Sequence, residues 1–342
     1  MKAIIQDRYG SPDVLELREI AEPVAKDDEV LVRVHAASVH PDVWHVVRGV
    51  PYVLRIMGAG VRKPRNPVPG IDLAGRVEAV GAKVTRFRPG EEVFGEIVRG
   101  IQWHNGGAFA EYATAPEAKL APKPANLTFE QAAAVPTSAL IALQAVRHQG
   151  HVQAGQEVLV NGAGGGVGTF AVQLAKADGA HVTGVDSTSK LDLIRSMGAD
   201  RVIDYTQEDF TRSGERYDVI VDIPGTHAFS DLRRALTRTG TYVYIGHDRF
   251  GRSGARWFGG IGRFLRLAML NPFVPQQMNP RIAKGTEEPL VVLKELVEAG
   301  KLTPAIDKTF PLSEVPEAIR YLETGQALGK IVITVLASAE AA

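Results

Sequence analysis

The sequence predicts an α/β protein in which a β-rich segment is followed by a doubly wound parallel sheet. Up to about Pro122, short apolar runs such as 29–34 alternate with turn residues, which is typical of a small domain built from strands. Strands then alternate with helical patterns up to about Gly246, which indicates a parallel sheet covered by helices. Because a chain of 342 residues is too long for one ordinary core, we predict two domains.

The elements after Pro122 are predicted in chain order. Apolar spacing predicts one helix over 129–148. Short buried runs then predict five parallel strands, at 158–160, 181–185, 201–203, 219–222 and 241–245. A helix, a turn, a second helix and a last strand are predicted at 290–299, at 311–314, up to about 323 and at 330–335. The chain divides into three segments, 1–123, 124–271 and 272–342, and the last returns to the first domain.

The segment 249–280 has an unusual composition, because glycine and arginine alternate with large apolar side chains. It predicts an amphipathic helix with three roles open. The helix forms a lid over a site, packs on its own domain or on another subunit, or touches a membrane surface.

The stretch 157–186 reads as a strand, a glycine turn, a helix over 167–176, a second strand and an acidic residue. Without a Cβ, Gly165 and Gly166 let a pyrophosphate approach the backbone, and the first N–H groups of the helix favour its charge. Gly168 lets the helix lie close to the strand. The fingerprint begins at Ala163 instead of a glycine, but its context is that of a dinucleotide-binding unit. The backbone residues that we expect to bind the dinucleotide are Ala163, Gly164, Gly165, Gly166, Val167 and Gly168.

Composition restricts the partners. The 39 basic and 39 acidic residues give no net charge, and neither kind forms a long block. Such a sequence lacks the excess of basic residues that binds nucleic acid or an anionic membrane, so we expect a small-molecule partner. No secretory signal or membrane-spanning run is visible, so we expect a soluble cytoplasmic protein. Without cysteine, the chain has no disulfide framework, no thiolate nucleophile and no Cys-ligated zinc.

Further motifs accompany the glycine turn, at 36–41, 72–81, 86–95, 198–205 and 329–332. With these motifs the chain resembles, over nearly its whole length, the zinc-independent quinone oxidoreductases of the medium-chain dehydrogenase/reductase superfamily. The resemblance implies a GroES-like β-rich substrate domain over 1–123 and 272–342 and a Rossmann domain over 124–271. It also implies an active-site cleft between them and a homodimer.

The resemblance implies chemistry without a metal. Zinc-containing members of the superfamily place Cys, His and Cys where this chain has His40, Ile71 and about Thr137. Alcohol oxidation would use that metal to polarise its substrate. Hydride transfer from a nicotinamide to a quinone or to a conjugated enone or enal needs less help, and this is the predicted reaction. A zinc-free NAD(P)-dependent alcohol or carbonyl dehydrogenase and a non-catalytic NADPH-binding sensor are the alternatives.

Two signals concern the choice of cofactor. Asp186, at the end of the second strand, favours NADH, because its carboxylate can bond the ribose 2′-hydroxyl. Ser187, Thr188 and Lys190 favour the 2′-phosphate of NADPH. The resemblance aligns Lys190 and Tyr205 with the phosphate-binding Lys and Tyr of NADPH-preferring relatives. We therefore predict NADPH, with NADH as the alternative, since Lys190 can offset a carboxylate that points away.

Candidates for proton transfer lie just after the third apolar run. His40, Asp42 or His45 is predicted to supply the proton that follows hydride transfer; the alternatives are a hydrogen bond to the cofactor ribose and a proton from water. The resemblance places Tyr52 near the acceptor, Thr137 near the nicotinamide and Lys330 beside the cofactor. Asn161 after the first parallel strand and Gly246 after the fifth are predicted beside the dinucleotide. Trp103 and His104 either shape an aromatic acceptor site or belong to a surface loop.

Overall fold

The computed structural model describes residues 1–98, 104–246, 256–278 and 288–336. The strands in these ranges are β1 (Lys2–Gln6), β2 (Leu15–Glu19), β3 (Glu29–Val39), β4 (Asp72–Val80), β5 (Glu92–Glu96), β6 (Tyr112–Pro116), β7 (Leu120–Pro122), β8 (Glu157–Asn161), β9 (His181–Asp186), β10 (Arg201–Asp204), β11 (Tyr217–Asp222), β12 (Leu236–Tyr244), β13 (Gln277–Met278), β14 (Ile306–Pro311) and β15 (Lys330–Thr334). The α-helices are α1 (Pro41–Arg48), α2 (Phe129–Ala133), α3 (Pro136–Leu143), α4 (Gly166–Ala177), α5 (Leu191–Ser196), α6 (Phe229–Ala235), α7 (Ile261–Leu270), α8 (Pro289–Glu298) and α9 (Val315–Glu323).

The chain forms two compact units. Among the described residues, the first unit takes Met1–Thr137, Leu290–Glu298 and the chain from Ile306 onward. The second takes Ser138–Pro289 and Ala299–Ala305. The main junctions follow Thr137 and Pro289, later in the chain than the predicted limits at 123 and 271.

The first unit is built on a seven-stranded sheet in the order β14-β15-β3-β4-β5-β7, with β6 paired to β3. The register of the antiparallel pairs sets Val332 opposite Ser38, Ser38 opposite Asp72, and Asp72 opposite Glu96. Residues directly opposite one another across a sheet point to the same face. The pairing therefore brings one hydroxyl and two carboxyl groups together on one face.

The second unit contains a six-stranded parallel sheet in the order β10-β9-β8-β11-β12-β13. The side chains of Val158, Leu159 and Val160 in β8 are fully buried, as expected of a parallel strand that is covered on both faces. The five predicted strands lie within β8 to β12, apart from Ile245, which follows β12. That strand begins earlier than predicted, at Leu236, and the sixth, two-residue strand β13 was not predicted because it is too short to show a pattern.

The predicted helix over 129–148 is wrong as one element. The structure divides it into α2, α3 and a wider π-type turn over Gln144–Gln149. Pro136 opens α3, and because proline has no N–H it cannot continue the hydrogen bonding of α2. Thr128 caps α2 and bonds reciprocally with Gln131, which fixes where that helix begins.

Most of segment 249–280 is described, and it contains α7 and β13; residues 249–255 and 279–280 lie outside the described ranges. Leu267 of α7 is buried in the apolar core of the second unit together with Tyr242 and Met278. The predicted helix therefore packs on its own unit through this side chain.

Candidate dinucleotide site and acid–base cluster

The glycine turn after β8 has the close packing that the fingerprint requires. A Cβ added to Gly168 would lie 2.1 Å from the carbonyl oxygen of Gly162 and 2.6 Å from the Cα of Ala163. Gly162 itself has a φ of 87°, a left-handed conformation that favours glycine. The fingerprint predicted from the sequence begins at Ala163 and omits Gly162, although an Asn-Gly pair at the end of a strand indicates a turn.

Backbone hydrogen bonds separate the donors that are in use from those that are open to a ligand. The N–H of Ala163 donates to the Val185 carbonyl at 3.1 Å, and that of Gly164 donates to the Asp186 carboxylate at 2.9 Å. The first N–H groups of a helix have no partner within it. The start of α4 therefore offers its first N–H groups and the positive end of the helix dipole to a pyrophosphate.

Residues predicted for the adenosine end meet where β9 and β10 finish. Asp186 is buried, and its two carboxylate oxygens accept hydrogen bonds from the N–H groups of Gly164 and Ser187 at 2.9 Å and 2.8 Å. The carboxylate thus turns toward the glycine turn. The aliphatic part of Lys190 packs on Gly164, where an added Cβ would meet it at 2.7 Å. Tyr205 is largely exposed, and its N–H donates to the Asp186 carbonyl at 3.1 Å.

Asp204 is a second carboxylate at this place, which sequence reasoning did not assign. It pairs in register with Asp186 across β9 and β10, and it accepts hydrogen bonds from the hydroxyls of Thr188 and Thr206. The Thr188 and Thr206 hydroxyls lower the pKa of Asp204, so it is ionised at neutral pH. The hydroxyl of Thr188 therefore already donates its hydrogen bond to Asp204 and is not free to donate to a phosphate.

Asn161 ends β8 and Gly246 lies two residues after the end of β12, and β11 lies between these two strands in the sheet. Asn161 donates from its amide to Asp222 at 2.9 Å, and Tyr242 donates to the same carboxylate at 2.7 Å. Burial, followed by the Asp222 charge, raises the pKa of Tyr242, so its hydroxyl keeps the proton that it donates. Asp222 is fully buried and was not predicted, because its partners come from two other strands.

Asp72 is the centre of a buried polar cluster in the first unit. One carboxylate oxygen accepts from the Thr137 hydroxyl at 2.5 Å and from its N–H at 3.1 Å. The other accepts from the Ser38 hydroxyl at 2.8 Å and lies 3.5 Å from the Lys330 ammonium. Burial lowers the pKa of Lys330 and the Asp72 charge opposes that shift. Thr137 and Lys330, both predicted beside the cofactor, are thus brought together by Asp72.

Glu96 faces Asp72 from β5. Burial, and next the Asp72 carboxylate, raise the pKa of Glu96 to about 7. Positive charge on Lys119 and His40 opposes the shift, and Asp42 adds to it. Glu96 therefore exchanges a proton near neutral pH.

The three predicted proton donors have different partners. His40 caps α1, and its Nδ1 accepts from the N–H of Asp42 at 3.2 Å. Its Nε2 is buried and has no hydrogen-bond partner among the described residues. The Nδ1–H of His45 instead donates to the Val50 carbonyl at 2.8 Å, since a carbonyl can only accept. His40 and Asp42 are close together, with 3.4 Å between Nδ1 and a carboxylate oxygen.

The remaining predicted residues lie in loops of the first unit. The Tyr52 ring stacks with the Arg55 guanidinium, 4.8 Å from its centre. His104 lines a cavity of about 460 Å³ with Asn66, Asn105 and Arg65. Trp103 lies outside the described residues.

The residues aligned with zinc ligands do not fit zinc. Ile71 is apolar, and the Thr137 hydroxyl and N–H both donate to Asp72. In the described ranges no group of three or more His, Asp or Glu side chains is arranged to hold a metal ion. The model also has no described helix that is both long and apolar enough to cross a membrane.

Comparison with known proteins agrees with this architecture. The family model for the alcohol dehydrogenase GroES-like domain matches residues 26–125, and that for zinc-binding dehydrogenases matches 197–333. The chain is 33% identical to the 2-methylene-furan-3-one reductase of Solanum lycopersicum, over 97% of this chain and 79% of the relative. It is also 33% identical to the chloroplastic NADPH-dependent alkenal/one oxidoreductase of Arabidopsis thaliana, with the same coverage. The solved structure of a quinone oxidoreductase from Coxiella burnetii has a TM-score of 0.82 and 30% identity, and the alignment covers 98% of this chain and 99% of that one.

The combination of a Rossmann-like parallel sheet, a GroES-like domain and a dinucleotide turn defines an NAD(P)H-dependent oxidoreductase. The chain belongs to the medium-chain dehydrogenase/reductase superfamily, with the quinone and alkenal/one oxidoreductases. The predicted fold class and family are confirmed.

Proposed function

We propose that this protein transfers hydride from NADPH to a quinone or to the β-carbon of a conjugated enone or enal, without zinc. The observation that carries the proposal is the glycine turn and the start of α4 that follows it, since the first N–H groups of a helix have no partner within it. Relatives named as quinone and alkenal/one oxidoreductases match nearly the whole chain and support the acceptor class.

In this proposal the first turn of α4 binds the pyrophosphate, and Lys190 and Tyr205 bind the 2′-phosphate. When bound, the nicotinamide supplies the hydride. The hydroxyl of Thr137 donates its hydrogen bond to Asp72, so only its acceptor lone pairs remain for a ligand, which suits a carboxamide N–H. The donor set at His40, Ile71 and Thr137 supports an enzyme without zinc.

The first experiment compares oxidation of NADPH and NADH in metal-free buffer with chelator. The acceptors are 1,4-benzoquinone, 9,10-phenanthrenequinone, an enone, an enal and a simple aldehyde. Turnover of a quinone or enone with NADPH is expected. Turnover of the aldehyde alone, or zinc-dependent turnover, would favour the alcohol or carbonyl dehydrogenase. Tight NADPH binding with no turnover would favour the sensor.

Cofactor preference has its own test in Lys190→Ala. Removal of the ammonium is expected to raise the KM for NADPH about tenfold, with little change for NADH, since one ion pair to a phosphate is worth about 1.5 kcal/mol or more. Lys83→Ala, which removes an exposed lysine from the first unit, is the matched control. If NADH is preferred and Lys190→Ala changes neither constant, the carboxylates Asp186 and Asp204 decide the preference.

We further propose that His40, and not His45, supplies the proton after hydride transfer. Because the Nδ1 of His40 accepts the N–H of Asp42, its neutral tautomer carries the proton on Nε2, where no described residue binds it. Neutral His45 carries its proton on Nδ1, and this N–H donates to the Val50 carbonyl. His40→Gln is expected to slow enone turnover by about 100-fold or more, with His45→Gln as the control. Unchanged turnover in His40→Gln would assign the proton to water.

We also propose that the protein acts as a homodimer in the cytoplasm. Support for the dimer comes from the family resemblance alone. Light scattering at several concentrations tests the subunit number, and cell fractionation with antibody detection tests the location.

A further inference from the structure

One surface of the second unit combines exposed apolar side chains with positive charge. Trp257, Leu265, Met269 and Phe273 expose 67%, 60%, 64% and 82% of their surface. Phe258 is also exposed, at 62%. Together with the exposed Arg256 and Arg266 these residues form what we call the basic apolar surface. Scattered single apolar residues are ordinary on proteins, but a contiguous group of large ones marks an interaction site.

The helix α7 presents this surface through one of its faces. Positions 264 and 268, and positions 265 and 269, are four residues apart, and all four positions share a side of the helix. The opposite side holds the helix in place, because Leu267 is buried and Arg263 donates to the Tyr242 hydroxyl at 3.0 Å and to the His227 carbonyl at 2.9 Å. Leu267 and Arg263 thus fix α7 to its own unit, and Leu265 and Met269 on its outer face are exposed.

Charge identifies the occupant. The described stretch 256–278 contains Arg256, Arg263 and Arg266 and no aspartate or glutamate, and Arg256 and Arg266 are exposed. The whole chain has no net charge, so this positive charge is a local asymmetry. In a two-fold contact between identical chains, the same patch meets itself, and Arg256 and Arg266 would face their copies with no carboxylate from this stretch between them. A basic helix with exposed aromatic and aliphatic side chains fits the interface of an anionic membrane.

We propose that the basic apolar surface docks on membranes that contain anionic lipids. Trp257, Leu265, Met269 and Phe273 enter the boundary between headgroups and acyl chains, and Arg256 and Arg266 contact the phosphates. The helix lies in the plane of the interface and does not cross the membrane.

Co-sedimentation of the full chain with vesicles tests the proposal. We expect binding to phosphatidylcholine vesicles that contain phosphatidylglycerol, little binding to pure phosphatidylcholine, and release by salt. The triple variant Leu265→Ser, Met269→Ser, Phe273→Ser should lose binding, whereas Val24→Ser, at an 87% exposed position in the first unit, should keep it.

Arginine variants test the charge separately. Arg256→Gln with Arg266→Gln should weaken partitioning about 25-fold, since each arginine near an anionic surface contributes about fivefold. Arg8→Gln with Arg238→Gln removes the same net charge elsewhere and should have little effect. Thermal unfolding of every variant checks that it is folded.

Several results would overturn the proposal. These are absence of binding to anionic vesicles at low ionic strength, equal binding by the wild type and the folded triple variant, and equal weakening by the two arginine pairs. A lower solution mass for the triple variant, without vesicle binding by the wild type, would show that a second copy covers the surface.

Discussion

Replacement of Gly165 by alanine separates phosphate binding at the glycine turn from folding of the turn. A Cβ on Gly165 would meet only the Gly162 carbonyl oxygen, at 3.6 Å, which is an ordinary contact. The φ of −90° and ψ of 176° are extended values that alanine adopts readily. Alanine is a poorer N-cap than glycine, but it also lowers the entropy of the unfolded chain, so the free energy of unfolding should change by less than about 0.5 kcal/mol.

Cofactor affinity should respond much more strongly. The added methyl lies directly before the first N–H groups of α4, where the pyrophosphate is expected. A displaced pyrophosphate loses at least one hydrogen bond to a charged acceptor, worth about 1.5–3 kcal/mol, so the Kd for NADPH should rise about 10- to 150-fold. Fluorescence titration measures this change. Gly262→Ala is the matched control, because an added Cβ there meets nothing within 4 Å. An unchanged Kd in stable Gly165→Ala would refute the placement of the pyrophosphate.

Three further predictions concern stability. Gly168→Ala should destabilise the protein by about 1–3 kcal/mol even without cofactor, since the methyl must move about 1 Å from the Gly162 carbonyl; urea unfolding measures it. Glu96 has a pKa of about 7 against 4.5 in the unfolded chain, so the stability of the wild type should fall as pH rises between these values. Glu96→Gln should lose that slope and be the more stable protein above pH 7 in unfolding curves at several pH values. Tyr242→Phe should cost about 1–3 kcal/mol in urea unfolding, because the buried Asp222 loses a donor.

Local patterns explain what the sequence could predict. The strands β8 and β11 consist largely of short apolar runs, and Gly168 had to be small because a helix and a strand meet there. In the helix predicted over 129–148 the same apolar spacing continued through Pro136, and the proline was the only sign of the break. The carboxylates Asp72 and Asp222 could not be predicted, because their partners come from distant segments and no periodicity records such a pairing.

The cluster around Asp72 also changes what a pH profile would mean. Asp72 and Lys330 form a buried pair, and Glu96 adds a second carboxyl with a raised pKa. Burial and next the Asp72 charge raise the pKa of Glu96, and the charge of His40 has the smallest effect on it. An apparent pKa near neutrality in a rate profile can therefore come from Glu96. A profile that changes in Glu96→Gln would follow even if only His40 touches the acceptor. The assignment of the proton donor therefore rests on the loss of turnover in His40→Gln and not on the pH optimum.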